Sequence, residues 1–562
     1  MAVLEQYSWI IVLISLTFCV SSFGNGANDV ASLYATSVAS RTLTLPQMGV
    51  LTMITEFTGA VALGSQVSST IKNGVIDITR FYPKPATLIL VMGCTEFGSA
   101  TWLIIATWAG FPVSSTQTVV GALIGAGIAA GADVRWGWQQ GGVSQIAASW
   151  AIASLIAGCF SATLFGTIKF GIFNREDPFK WAMRMIPFYY AFTAAVLALF
   201  MMAETPSTDD FLEESAIGKT LSVIFGIFFG MLGVAYFFFI PYFHRKLVLE
   251  DTRVRSWHIP LGPLLLFDDP PLYWPSKSVS GLTDYSAGAN KTTETPDFPG
   301  PNESGVIMKG TLDSSERELE NGLSQGSDTL NAVRIDVREK YLGPSEGMPM
   351  YHPLCASDFI RYFFWHGISK DCVTCDSEQL LATHARAAVY DDRVEHLWTY
   401  AQVVSAMMMS IAHGSNDVTN AVAPWVSAYS TFMSGEVRSN SVTPVWILVI
   451  AGVLLGTGFW FFGYHIVRSL GNRITRVSPI RGYSIELGTA VAVLLASHLG
   501  IPVSTMQCLI GATVGVALMN FDPAAVNWRQ LAFIFGGWVL TLPVAGLISG
   551  LLTAMALNTP HF

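Results

Sequence analysis

Charge is scarce in this chain. Aspartate, glutamate, lysine and arginine make up 13% of its 562 residues, about half the share of an ordinary soluble domain, which excludes a chain that is soluble throughout. A basic excess is missing as well: the formal net charge is −9, so nothing in the balance points to nucleic acid. The seven cysteines give no disulfide framework. Cys19, Cys94, Cys159 and Cys508 lie in apolar stretches as small packing residues, and Cys372 with Cys375 forms a lone C-x-x-C short of the four ligands of a zinc site. Glu5, not a basic flank, precedes the first apolar run, so a cleaved leader is not expected.

What the chain has in abundance is apolar sequence, 51% of all residues. Runs near the roughly 20 residues that a membrane helix needs fall at about 8–38, 46–66, 85–109, 112–131, 144–169, 184–203 and 218–243, then at 396–426, 444–468, 483–499, 502–519 and 529–556. The fold expected is an all-α polytopic membrane protein of about twelve transmembrane segments. A first membrane repeat takes 1–170, linking helices 171–250, a hydrophilic loop 251–395 and a second repeat 396–562. The loop is rich in Pro, Gly, Ser and Asp over about 258–350 and is expected to be disordered there. Aromatic residues from Phe359 to Trp365 suit an amphipathic helix.

Three basic clusters fall on one side if twelve segments alternate: Lys169 to Arg184, His244-Arg245-Lys246, and Arg468 to Arg481. By the positive-inside rule that side is cytosolic, which puts the long loop inside and both termini outside. Lys72, Arg80 and Lys84 run mildly against this orientation. The acceptor patterns at Asn290 and Asn302 are then chance matches.

Two motifs occur twice. GNGANDVAS around Asn28 and Asp29 returns as GSNDVTN around Asn416 and Asp417, each expected to break its apolar run. GFPVSSTQTVVGALIG (110–125) returns as GIPVSTMQCLIGATVG (500–515). Glu96 and Glu486 each stand sixteen residues before the motif proline, and the spacings from Asp29 to Glu96 and from Asp417 to Glu486 are 67 and 69. With seven segments before the loop, the second copy enters the membrane upside down. Inverted repeats with broken or re-entrant helices place a substrate near the bilayer midplane.

Each motif has its chemistry. Pro112 and Pro502 suit the first turn of a restarting helix. Ser114, Ser115, Thr116, Ser504 and Thr505 then sit where free N–H groups and the helix dipole favour an anion. Gly121 with Gly125, and Gly511 with Gly515, let these short helices pack closely. Asp29, Asp417, Glu56, Glu96 and Glu486 lie in apolar runs with no lysine or arginine beside them, so cations, protons or local donors must meet their charge. Hard oxygen ligands suit Na⁺ or H⁺. Anion-attracting helix starts beside cation-attracting carboxylates describe cation–anion symport. Glu56 has no acidic counterpart, the second copy offering Leu448. His413 and His498 are expected to be neutral and hydrogen-bonded, although either is placed to take a coupling proton.

The paired GANDVA and GSNDV motifs and the two P-V-S-[ST] segments, split by a large hydrophilic loop, resemble the inorganic phosphate transporter (PiT) family, in layout its fungal sodium–phosphate symporters. The resemblance covers nearly everything outside about 250–395. It implies phosphate as substrate, Na⁺ as the usual driver and a plasma-membrane address. It gives phosphate or cation roles to Asp29 and Asp417, and transport roles to Glu56, Glu96, Glu486, Ser114 and Ser504. Asn28, Asn416, Ser115, Thr116 and Thr505 fall in the same elements. Two departures stand out: Ser32 where the first motif usually ends in Asn, and Met506-Gln507 where the second usually continues Thr-His. Loss of a hydroxyl at 506 is expected to weaken one cation site or shift cation preference.

The function expected is import of inorganic phosphate by alternating access, coupled to Na⁺ or H⁺. Two monovalent cations would make the complex with a phosphate monoanion net positive, and one net charge through 100 mV is worth about 2.3 kcal/mol. No enzyme activity and no cofactor are expected: an intramembrane aspartyl protease using Asp29 and Asp417 would lack the duplicated P-V-S elements. A phosphate-sensing receptor with little flux and a symporter of another oxyanion such as sulfate are the alternatives. The sequence is compatible with a homodimer.

Overall fold

A computed structural model of the chain describes residues 3–63, 75–139, 141–203, 214–276, 283, 285, 337–343, 352–373, 377–438, 443–499 and 503–559. It divides into two compact units, one made of Met1–Ala289 with Asp371–Phe562, the other of Asn290–Lys370. In the smaller unit a helix spans Pro353–Trp365, with Phe359, Ile360, Phe363 and Phe364 exposed. Cys375, Pro502, the side chain of His498, the acidic stretch 204–213 and the patterns at Asn290 and Asn302 lie outside the described residues.

The larger unit is helical; among the described residues its one β feature is the bridge between Ile76 and Val134. A helix lies on every apolar run read from the sequence. Before the loop these are α1 (Ser8–Asn25), α2 (Ala31–Ala39), α3 (Leu45–Leu63), α4 (Pro85–Trp108), α5 (Ser115–Ala129), α6 (Val143–Ile168), α7 (Pro178–Ala203) and α8 (Glu214–Val234). After it come α9 (Asp392–Ser434), α10 (Val445–Phe462), α11 (Tyr464–Leu470), α12 (Pro479–His498), α13 (Thr505–Leu518) and α14 (Trp528–Asn558).

Seven helical stretches among the described residues are long and apolar enough to cross a membrane by themselves. The short helices α5 and α13, of 15 and 14 residues, reach only about 22 and 21 Å at 1.5 Å per residue, less than the roughly 30 Å of a hydrocarbon core.

The expected helix breaks at the Asn-Asp motifs are not there. The first motif forms a single π-turn, Gly26–Val30, joining α1 to α2 without interruption. Such turns widen a helix by one residue and re-aim its side chains. The second motif sits inside the unbroken 43-residue α9. This helix starts at Asp391, whose carboxylate accepts from Arg393 N–H, and stops at Gly435 in the left-handed conformation. Its motif glycine permits close packing: a Cβ on Gly414 would lie 2.7 Å from the Glu56 carbonyl oxygen, so α3 packs backbone to backbone on α9.

The short helices pack across the two halves. α5 lies on α14, and α13 lies on α6. The expected glycines make both contacts. A Cβ on Gly121 would lie 2.6 Å from the Leu542 carbonyl oxygen, and Gly125 abuts Gly546, while Gly511 and Gly515 abut Ser154 and Gly158. Other helix pairs repeat in the same way: α1 packs on α4 as α9 packs on α12, and α1 on α10 as α9 on α3.

Order extends further into the loop than its composition suggests. Arg245 is buried and bonded to Asp251 at 2.9 Å and to the carbonyls of Leu265, Phe267 and Asp268. His258 Nε2 meets the Tyr273 carbonyl at 2.7 Å. Expected disorder from 258 is thus corrected as far as 276: one buried guanidinium needs its carbonyl acceptors held in place.

Candidate functional site

The π-turn and the middle of α9 bring three ligand atoms, one each from Asp29, His413 and Asp417, to within 4.8 Å of one another. All three side chains are buried. Around them stand the starts of α5 and α13. Ser114 caps α5, its Oγ accepting from Gln117 N–H at 3.4 Å, and Ser504 caps α13, accepting from Gln507 N–H at 3.3 Å. Pro112 therefore stands two residues ahead of the α5 cap, not in its first turn as the sequence suggested, because the serine takes the capping place.

Asp417 accepts three side-chain hydrogen bonds. Its Oδ1 accepts from Asn420 Nδ2 at 2.9 Å and Thr116 Oγ1 at 3.3 Å. Its Oδ2 accepts from Thr505 Oγ1 and lies 3.2 Å from His413 Nε2. The same imidazole reaches Glu56 Oε2 through Nδ1 at 2.9 Å, and Glu56 Oε1 accepts from Ser410 Oγ at 2.6 Å. A chain of hydroxyls continues through Thr55 to Tyr34. His413 thus bonds Glu56 of α3 and stands beside Asp417 of α9. The sequence pointed to a bonded core histidine placed to take a proton, without its partner, since Glu56 and His413 are 357 positions apart.

Asp29 takes a different role. Its Oδ2 accepts the Ser115 backbone N–H at 2.9 Å, so the carboxylate occupies a donor at the start of α5 that the sequence assigned to an anion. Asn28 is likewise engaged: it donates to Thr107 Oγ1 and the Phe111 carbonyl and accepts from Val113 N–H, all at 3.0 Å. It fastens the approach to α5, with both ends of its amide engaged there. Asn416 is buried in the same turn as Asp417.

The two repeated glutamates lie apart from this centre. Glu486 sits in a polar cage: Thr36 and Ser37 each donate at 2.7 Å, Ser405 at 2.8 Å and Gln402 at 3.2 Å. Glu96 is fully buried, with the Ser21 side chain as its polar neighbour. Among the described residues no lysine or arginine pairs with any of the five acids. The residues best placed to ligate a hard cation are Asp29, Asp417, Thr116 and Thr505, with the Val503 carbonyl 3.4 Å from Thr116 Oγ1. Asn420, Ser410 and Gln402 were missed by sequence reading. All three, with Asp417, lie in α9, and helical register from Asp417 is the signal that could have found Asn420 and Ser410.

The model of the Phosphate transporter family matches residues 25–549, nearly the whole chain. The chain belongs to that family. As a member of the phosphate transporter family it is similar to the phosphate-repressible phosphate permease pho-4 of Neurospora crassa, 35% identical over 100% of this chain and 99% of that one. It is also similar to the sodium-dependent phosphate transporter 1-A of Danio rerio, 27% identical over 97% and 94% of the two chains, and to sodium-dependent phosphate transporter 2 of Felis catus, 28% identical over 98% of each. A solved structure titled "The sodium-dependent phosphate transporter" shares the fold with a TM-score of 0.59 and 21% identity, covering 98% of this chain and 100% of that one. The family's members are transporters and not enzymes, and this member is a multi-pass membrane protein.

Proposed function

We propose that the protein imports inorganic phosphate together with Na⁺ or H⁺, by exposing one central site to each side of the membrane in turn. The observation that carries this reading is the meeting of Asp29, His413 and Asp417 between two short-helix starts. A phosphate brought there finds hydroxyls of Ser115, Thr116 and Thr505 as donors, while the acids hold the cation that screens them from it. The printed names of two relatives, sodium-dependent phosphate transporters, favour Na⁺ as the driver.

Twelve crossings in two oppositely inserted repeats fit the paired helix contacts across the halves. In that arrangement the two repeats rock about the shared centre. The basic loops put the long loop in the cytosol and both termini outside, at the plasma membrane. Proteoliposomes test the reading. Phosphate should accumulate only under an inward cation gradient, and unlabelled sulfate should not compete. Accumulation that ignores both Na⁺ and H⁺ gradients would reject coupling. Asp29→Asn and Asp417→Asn should each abolish uptake while leaving surface expression unchanged.

A further inference from the structure

The two short-helix starts are furnished unequally, and the difference falls on both members of one hydrogen-bonded pair. At the Asp417 pole, Asn420 Nδ2 donates to Thr116 Oγ1, Asp417 Oδ1 and Ser115 Oγ, each at 2.9 Å. Thr116 Oγ1 lies 3.3 Å from Asp417 Oδ1 and 3.4 Å from the Val503 carbonyl oxygen. Oxygens about 3.4 Å apart are spaced as neighbouring ligands of a hard cation with bonds of about 2.4 Å. A carboxylate, a hydroxyl and a backbone carbonyl are the ligand types such a cation prefers. Asn420 supplies the outer hydrogen bonds that hold two of them in place.

The repeat register gives the equivalent quartet at the other pole. Asn420, Thr116, Asp417 and Val503 correspond to Ser32, Met506, Asp29 and Val113. Here the asparagine strut is gone: Ser32 Oγ turns onto the backbone carbonyl of Asp29 at 2.5 Å, within its own helix. The hydroxyl is gone too, since Met506 is buried and offers only a thioether, a soft and weak ligand. One carboxylate oxygen is left bare: Asp29 Oδ1 is buried with no hydrogen-bond partner among the described residues, while Oδ2 accepts the Ser115 N–H. Residues that touch at one pole have thus been replaced together at the other.

We propose that this protein carries one sodium ion per phosphate, held by Asp417, Thr116 and the Val503 carbonyl, and that the equivalent position at Asp29 and Met506 holds none. This rests on the cation-coupled reading above, and it departs from the two cations suggested by charge alone. Sodium is a transported ion here, so it can be counted directly.

The test is equilibrium binding of radiolabelled sodium to the purified full-length protein with saturating inorganic phosphate, alongside the sodium-to-phosphate flux ratio in proteoliposomes. The native chain should give one sodium per phosphate and a hyperbolic sodium dependence. The double variant Ser32→Asn with Met506→Thr should give two and a sigmoid dependence. Thr116→Met should weaken sodium binding at least tenfold. Two sodium ions per phosphate in the native chain would overturn the proposal, and so would a double variant that folds and stays at one. If the double variant does not elute as a folded protein, Thr116→Met decides: unchanged sodium affinity sinks the proposal. Phosphate uptake with no sodium requirement would instead reject sodium symport itself, a failure distinct from a wrong count.

Discussion

At the residue scale, the site is a set of buried acids whose partners come from distant parts of the chain. Glu56 shows what this implies. Its two oxygens hold Ser410 and His413, and Glu56→Ala leaves both without an acceptor at a cost of about 1–3 kcal/mol each. Glu56→Gln keeps the shape and one acceptor. Both variants should lose at least tenfold in phosphate uptake, and the melting temperature in detergent should fall further for alanine. Asp251 gives a pH signature away from the membrane. Hydrogen bonds from Arg253 and Arg245 hold its carboxyl at about 2, below the roughly 3.9 of a free aspartate. The stability it contributes is complete above about pH 4 and is lost as pH falls towards 2. The difference in melting temperature between native protein and Asp251→Asn should be constant from pH 5 to 8 and shrink below about pH 4. The acids themselves were legible in sequence because a carboxylate in an apolar run is rare. Their partners were not: nothing in the sequence ties Asn28 to Val113 and Phe111, and no periodicity encodes a contact between separate helices.

At the element scale, the short helices depend on glycine for their seats. Gly121→Leu or Gly125→Leu would drive a side chain into the backbone of α14 at Leu542 or Gly546. Either should cut folded yield severely, measured as monodisperse protein in detergent. Gly226 and Gly230 of α8 have nothing within 4 Å of an added Cβ, so Gly226→Ala and Gly230→Ala should leave yield and uptake near native and serve as controls. These packing roles were readable from Gly-x-x-x-Gly spacing. The continuity of α9 was not, because glycine, serine and asparagine in a row look like a break. Here Asn420, Ser410 and His413 all find tertiary partners, and those bonds outweigh weak helix propensity.

At the scale of the whole molecule, the loop divides into an ordered approach and a separate unit. Arg245 ties residues up to Asp268 to the helical body, whereas Asn290–Lys370 forms a unit of its own. Deleting 290–350 should therefore preserve phosphate uptake, while Arg245→Ala should lower the yield of folded protein. Loss of uptake on deletion, with normal surface expression, would tie the loop to transport. Composition did not mark where order in the loop continues, since a single arginine with three carbonyl acceptors carries no compositional signal.

The exchange of short helices between the halves bears on how the chain is made. α5 finds its seat on α14, and roughly 400 residues lie between them. At 5–20 residues per second, on the order of 20–80 s of synthesis separate the two. Throughout that interval the glycine face of α5 lacks its seat, so the nascent protein must be sheltered by the insertion machinery until α14 leaves the ribosome. Neither half can mature alone, and a chain truncated before Trp528 should be degraded rather than stored.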